Sequence, residues 1–145
     1  MSLRDRIGYD AGATNLEDSL GTARTHDFHY LNFNADTGPN TLGNWNDERV
    51  KTVRNVCHQT GIRLSLHTSS AVNIAEFSPF VSDAVDQYLR GCIDLASLLD
   101  CNGVVVHGGY HFSSELNARM QASLERLQRA VAYAEEKGVK LFLEN

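Results

Sequence analysis

Apolar positions along the chain follow two alternating rhythms. Short apolar or alternating runs occur at 6–12 (RIGYDAG), 28–36 (FHYLNFNAD), 62–67 (IRLSLH), 103–109 (GVVVHGG) and 139–145 (VKLFLEN), and they predict five strands. Between the runs, apolar residues return every three or four positions, which predicts helices. The first helix spans Leu16 to about Arg24. The second starts after Asn46, with Trp45 and Val50 at staple positions and Val50, Val53 and Cys57 as its apolar stripe, and Gly61 stops it. The third is capped by Ser78, starts on Pro79 and places Val81, Val85, Leu89, Cys92, Leu95 and Leu99 on one core face. Gly91 lies inside that helix and implies a close helix-to-sheet contact. The fourth runs from Glu115 to about Lys137, with a core stripe of Leu116, Met120, Leu124, Leu127, Val131 and Ala134, and Gly138 ends it. The segment 37–44 (TGPNTLGN) reads as loop.

Strands alternating with helices, spaced widely enough for a crossover each time, predict an α/β fold with a parallel sheet. The runs VVV and LFL fit strands covered on both faces. The chain of 145 residues reads as a single domain. Its net charge of -5 argues against a nucleic-acid or anionic-membrane partner, which would usually call for a basic patch. No apolar run reaches membrane-spanning length, and the opening MSLRDRIGYD shows no signal-peptide core. Cys57, Cys92 and Cys101 have no CxxC spacing, and we expect reduced, buried thiols in a cytoplasmic protein.

In parallel α/β folds the carboxyl ends of the strands converge with the helix N-termini, so ligands bind there. The first strand ends near Tyr9 and Asp10, and the second near Asn32, Asn34 and Asp36. The third ends on His67, the fourth on His107 with His111 four residues on, and the fifth on Glu144. Two imidazoles and a carboxylate on three successive strand ends suit a divalent transition metal. Gly108 and Gly109 would leave room for a substrate beside His107. His26, His29 and His58 read as surface residues. No GxGxxG, GxxxxGK[ST] or GxSxG motif occurs, so dinucleotide, P-loop and serine-nucleophile sites find no support.

At these residues the sequence resembles a known family. LSLHTSSAVNIAE, IDLASLLDCNGVVVHGG and VKLFLEN are similar to segments of the xylose-isomerase-like TIM barrels, a superfamily of sugar phosphate isomerases and epimerases that also holds endonucleases of the endonuclease IV type. The shared pattern is a His closing the third strand with an Asn soon after, a His closing the fourth, and Glu-Asn or Glu-Thr closing the fifth. It covers residues 62–145 well and 4–61 loosely.

The resemblance implies a parallel (β/α)8 barrel of which this chain supplies about five strands and four helices, as the N-terminal portion of a longer protein. It implies a divalent cofactor (Mn, Mg, Co or Zn), with Glu144, His107 and His67 as metal ligands and Glu144 also as catalytic acid/base. His67, His107, Asn73, Gly108 and His111 are the candidate substrate-binding residues, Asn73 by supporting the loop after the third strand. The endonuclease branch usually carries a His and a Ser at the first strand end, where this chain reads GYDAG. That favours the sugar branch: an isomerase or epimerase that removes a proton beside a carbonyl to give an enediolate and returns it elsewhere. The expected partner is a small sugar or polyol, with no membrane or nucleic acid, and a homo-oligomer is left open. The alternatives are an endonuclease IV-like phosphodiesterase acting on damaged DNA and a non-catalytic half-barrel binding module.

Overall fold

The computed structural model describes residues 3–35, 38–109 and 115–144. Five strands alternate with four helices: β1 (Tyr9–Asp10), α1 (Leu16–Thr25), β2 (Tyr30–Asn34), α2 (Asp47–Thr60), β3 (Arg63–His67), α3 (Pro79–Leu98), β4 (Val104–His107), α4 (Leu116–Glu136) and β5 (Leu141–Glu144). The strands pair in chain order, and every pair is parallel. A doubly wound sheet reverses its order at a switch point, whereas a TIM barrel never does. The architecture is therefore five strands and four helices of a TIM-type barrel wall.

Burial separates the two faces of the wall. Leu31, Phe33, Leu64, Leu66, Val104 and Val106 are buried among helix residues such as Leu16, Leu20, Val53, Leu89 and Ile93. Their neighbours in β2–β4, namely Tyr30, Asn32, Asn34, Ser65, His67, Val105 and His107, are half-buried on the opposite face. Successive strand side chains alternate faces, so this pattern gives one helix-covered side and one concave side.

The helix ends follow the sequence signals in part. Asn46 accepts the Arg49 N–H at 2.8 Å, and Gly61 closes α2 at φ 73°. Asn15 does the same for α1, while the Leu16 N–H is taken by the buried Asn40. Ser78 sits at the N-cap of α3 but makes no side-chain cap bond. Glu76 acts just ahead of the helix: its Oε1 accepts the N–H groups of Phe77 and Ser78, which holds the Glu76 carboxyl below its ordinary pKa. The segment after β2 is not plain loop, because two short 3-10 turns, Gly38–Asn40 and Leu42–Asn44, carry Asn40 into the interior. There Arg49 joins Asn40 to Glu17 and stacks over Trp45, 3.9 Å from its ring centroid.

Four other expectations are corrected. β1 is only two residues long, because its run opens as a 3-10 turn at Leu3–Arg6 and turns at Gly12 with φ 53°. Gly91 packs on Leu42, not on the sheet; an added Cβ there would lie 2.9 Å from Leu42 Cδ1. Val81 is exposed, so the core face of α3 begins at Val85 and gains Ile93 and Ala96.

The fourth correction is the largest. The expected core stripe of α4 faces outward: Leu116, Met120, Leu124 and Val131 are exposed, and only Ala134 is buried, with Leu127 partly so. The helix instead buries Ser123, Arg126, Ala130 and Ala134. In β5, Phe142 and Leu143 are likewise exposed, so LFL is not covered on both faces. No helix among the described residues is long and apolar enough to cross a membrane.

These burial differences set a stability test. Leu89→Ala removes a side chain that is 3% exposed and should cost about 2–5 kcal/mol in denaturant unfolding. Leu124→Ala removes one that is 51% exposed and should change stability by no more than about 0.5 kcal/mol. Equal losses would place the Leu/Met stripe of α4 back in the core.

Candidate functional site

β3, β4 and β5 end on His67, His107 and Glu144. His107 lies directly opposite Glu144, whereas His67 lies opposite Val105, two residues lower on β4. The pleat puts Val105 and His107 on one face and Phe142 and Glu144 on one face, so all three polar side chains meet on the concave side. Neighbouring strands are about 4.8 Å apart, close enough for the longer side chains to close the two-residue stagger. His67 Nε2 sits 2.8 Å from Glu144 Oε2, and the two imidazole centroids are 5.1 Å apart with planes tilted by 59°. One ligand atom from each residue lies within 4.8 Å of the other two.

The hydrogen-bond pattern of His67 fixes what this cluster can do. Its Nδ1 lies 2.8 Å from the Thr68 carbonyl, an acceptor, so Nδ1 carries a proton and donates it. Nε2 faces the Glu144 carboxylate at hydrogen-bond distance. The same two atoms could serve a cation as neighbouring ligands by moving slightly apart, since metal–ligand bonds of about 2.0–2.2 Å do not fit along a 2.8 Å line. A carbonyl that holds one ring nitrogen and frees the other is also the usual arrangement around a metal-bound histidine. The donor set of two imidazoles and one carboxylate therefore fits a divalent transition metal.

Glu144 is half-exposed, and its carboxyl is held below the ordinary glutamate range. The hydrogen bond from His67 is the chief cause; slight desolvation opposes it, and the charges of His67 and His107 add to it.

The loops after the two histidines touch each other. Gly109 has φ 87°, and a Cβ there would come within 2.8–3.0 Å of Ala75 and of Asn73 Oδ1. Asn73 accepts the Ala75 N–H at 3.1 Å, which braces the loop against Gly109. Gly108 is uncrowded; its N–H donates to the Glu144 carbonyl and its own carbonyl accepts from Ser123. Loop contact and a positive φ thus demand glycine at Gly109, while Gly108 has space around it. His111 and Asp36 lie outside the described residues.

Below the cluster the concave wall stays polar. Asp10, Asn32 and Ser65 are aligned across β1–β3, and Ser65 donates to Asn32, which donates to Asp10. Asn34 lies opposite His67. No disulfide joins the three cysteines; burial pushes the Cys57 thiol up to about 11 and raises Cys101 further. His26, His29 and His58 are exposed.

Sequence reasoning missed two residues that reach the site from behind, Ser123 and Arg126. Their signal was a helix face at spacings of three and four that carries small and polar residues in place of large apolar ones.

Comparison with known proteins gives the family. No curated protein matches the chain. Among solved structures, a D-tagatose 3-epimerase-like protein superposes with a TM-score of 0.82 at 24% identity, covering 95% of this chain and 52% of that one. D-psicose 3-epimerase from Clostridium cellulolyticum H10 gives 0.79 at 17% identity, covering 94% and 50%. TTHB071 protein from Thermus thermophilus, soaked with ZnCl2, gives 0.74 at 22% identity, covering 94% and 55%. This chain thus spans about half the length of each, and at these identities the likeness is one of fold. The family model described as xylose isomerase-like TIM barrel matches residues 20–145, so the chain belongs to the xylose isomerase-like TIM barrel family.

Proposed function

We propose that this chain carries the metal-binding wall of a divalent-metal-dependent sugar isomerase or epimerase, which moves a proton on a carbon beside a carbonyl. The observation that carries this reading is the convergence of His67, His107 and Glu144, whose ligand atoms lie within 4.8 Å of one another. The substrate class is supported by the wall around them. Asp10, Asn32, Asn34 and Ser65 offer neutral or acidic hydrogen-bonding groups, and no Lys or Arg ends a described strand. Such a wall suits polyol hydroxyls better than the phosphates of a nucleic acid. The likeness to structures called D-tagatose and D-psicose 3-epimerases accords with a ketose. Three cysteines without a disulfide accord with a reducing compartment, and we place the reaction in the cytoplasm.

The residues divide the work. His67, oriented by Thr68, presents Nε2, and His107 and Glu144 complete the ligand set. A bound divalent cation would supply Lewis-acid polarisation of the substrate's carbonyl and neighbouring hydroxyl oxygens. Glu144 stays ionised in neutral water, as a ligand and a proton acceptor must. Its Oε2 faces His67, and we assign this half-exposed carboxylate to take and return the proton. Asn32, Asn34 and Ser65 line the same wall to orient hydroxyls.

Calorimetric titration with Mn2+ or Zn2+ should show one site per chain, weakened at least about 100-fold by His107→Ala or Glu144→Gln. The same protein with Mn2+ should exchange the C3 hydrogen of D-fructose or D-psicose for solvent deuterium, and Glu144→Gln should abolish that exchange. Metal binding without any exchange on ketoses would sink the epimerase reading and leave the metal centre standing.

The metal-free carboxylate gives a pH test. Glu144 is depressed by His67, so the His67–Glu144 contact is present above the ordinary carboxylate pKa and is lost as pH falls through the lower folded value. A carbon-detected NMR titration should place Glu144 below ordinary glutamate, and His67→Ala should return it upward. An unmoved midpoint in the variant would remove His67 as the cause.

A further inference from the structure

The three candidate ligands sit on loops and strand ends, yet one helix face reaches behind both histidine loops. Ser123 and Arg126 are one turn apart on α4 and both are buried. Ser123 Oγ donates to the Gly108 carbonyl at 2.7 Å, and Gly108 N–H donates to the Glu144 carbonyl at 3.3 Å. The peptide after His107 is therefore held on one side by α4 and on the other by the strand that carries Glu144. Arg126 does the same for the other histidine. Its Nη1 donates to the Ile74 carbonyl, in the loop after His67, while Nε pairs with Asp86 at 2.6 Å and Nη2 with Ser82 Oγ at 2.7 Å. The two loops then meet where Gly109 packs on Asn73 and Ala75.

From this geometry we infer that Ser123 and Arg126 are positioning residues: α4 is a bracket that sets the spacing of His67, His107 and Glu144 for a divalent cation. The inference rests on the metal reading above. A charge as deeply buried as Arg126 is expensive, and a single carboxylate would satisfy only part of its fork. Its remaining donors go to the start of α3 and to the loop after β3, so the group acts as a three-way tie and not only as half of an ion pair. Neither residue touches the ligand atoms; both fix the backbone that carries them, as outer partners do around metal sites.

Positioning is separable from plain stability. We would titrate the full chain with Mn2+, wild type against Ser123→Ala, Arg126→Lys and a core control, Val53→Ala, and record thermal unfolding of each in chelator. Ser123→Ala removes one hydrogen bond and spares the buried charge, so it stays informative where Arg126→Lys fails to fold. We expect Ser123→Ala to weaken Mn2+ binding by about 10-fold or more, and Arg126→Lys, where folded, by at least as much. Val53→Ala, though less stable, should bind as the wild type does. Folded Ser123→Ala with unchanged affinity, or an equal loss in Val53→Ala, overturns the positioning role and leaves the metal centre intact. A wild-type chain that takes up no cation overturns the metal reading and this inference with it.

Discussion

Parallel pairing in chain order is the constraint on which everything else here depends. Each strand must run the same way as the last, so each connection must return by a helix. All the strand ends then lie on one edge of the wall, and all the helix starts lie beside them. His67, His107 and Glu144 are far apart in sequence and neighbours in space for that reason alone. The two-residue stagger between β3 and β4 adds depth, setting one histidine lower than the other so that Nε2 of the lower ring can reach up to the carboxylate.

The polar groups buried behind the wall do a different job from those in front. Asn40, Arg49 and Glu17 form one network, in which the Arg49 guanidinium draws the Glu17 carboxyl below its ordinary pKa. Arg126 and Asp86 form another. Each ties a loop on the strand-end side to a helix: the segment after β2 in the first case, the loop after β3 in the second. Apolar packing would hold the helices at least as firmly, since buried charge is a poor source of net stability. What directional bonds add is fixed geometry for backbone carbonyls at the rim, where a site needs it.

Much of this was legible in the sequence, for an identifiable reason. Strand ends are readable because an apolar run stops where a polar residue appears, and the three that matter, His67, His107 and Glu144, close their runs with no spacer. Asn46 and Gly61 were readable because caps act locally. The failures were tertiary. Sequence shows which residues of α4 are apolar, but not which side of the helix packs inward; Ser123, Arg126, Ala130 and Ala134 are buried, and the helix packs chiefly on α3. Gly91 was correctly read as a close approach, but its neighbour, Leu42, arrives from a turn that no periodicity marks. Ser78 holds the N-cap position without a side-chain bond, while Glu76 ties down the two N–H groups just ahead of the helix, those of Phe77 and Ser78.

The strongest support for the proposed cation is the convergence of three donors on one point, more than the donor types alone. Histidines and glutamates meet on many surfaces as ordinary hydrogen-bonded pairs, and in such pairs the imidazole donates from the nitrogen that faces the carboxylate. Here both ring nitrogens of His67 are engaged, Nδ1 with the Thr68 carbonyl and Nε2 with Glu144. His107 stands 5.1 Å away and offers a second imidazole to the same point. A divalent ion would use all three groups together, and that convergence is why we propose a metal centre here and not a salt bridge with a bystander.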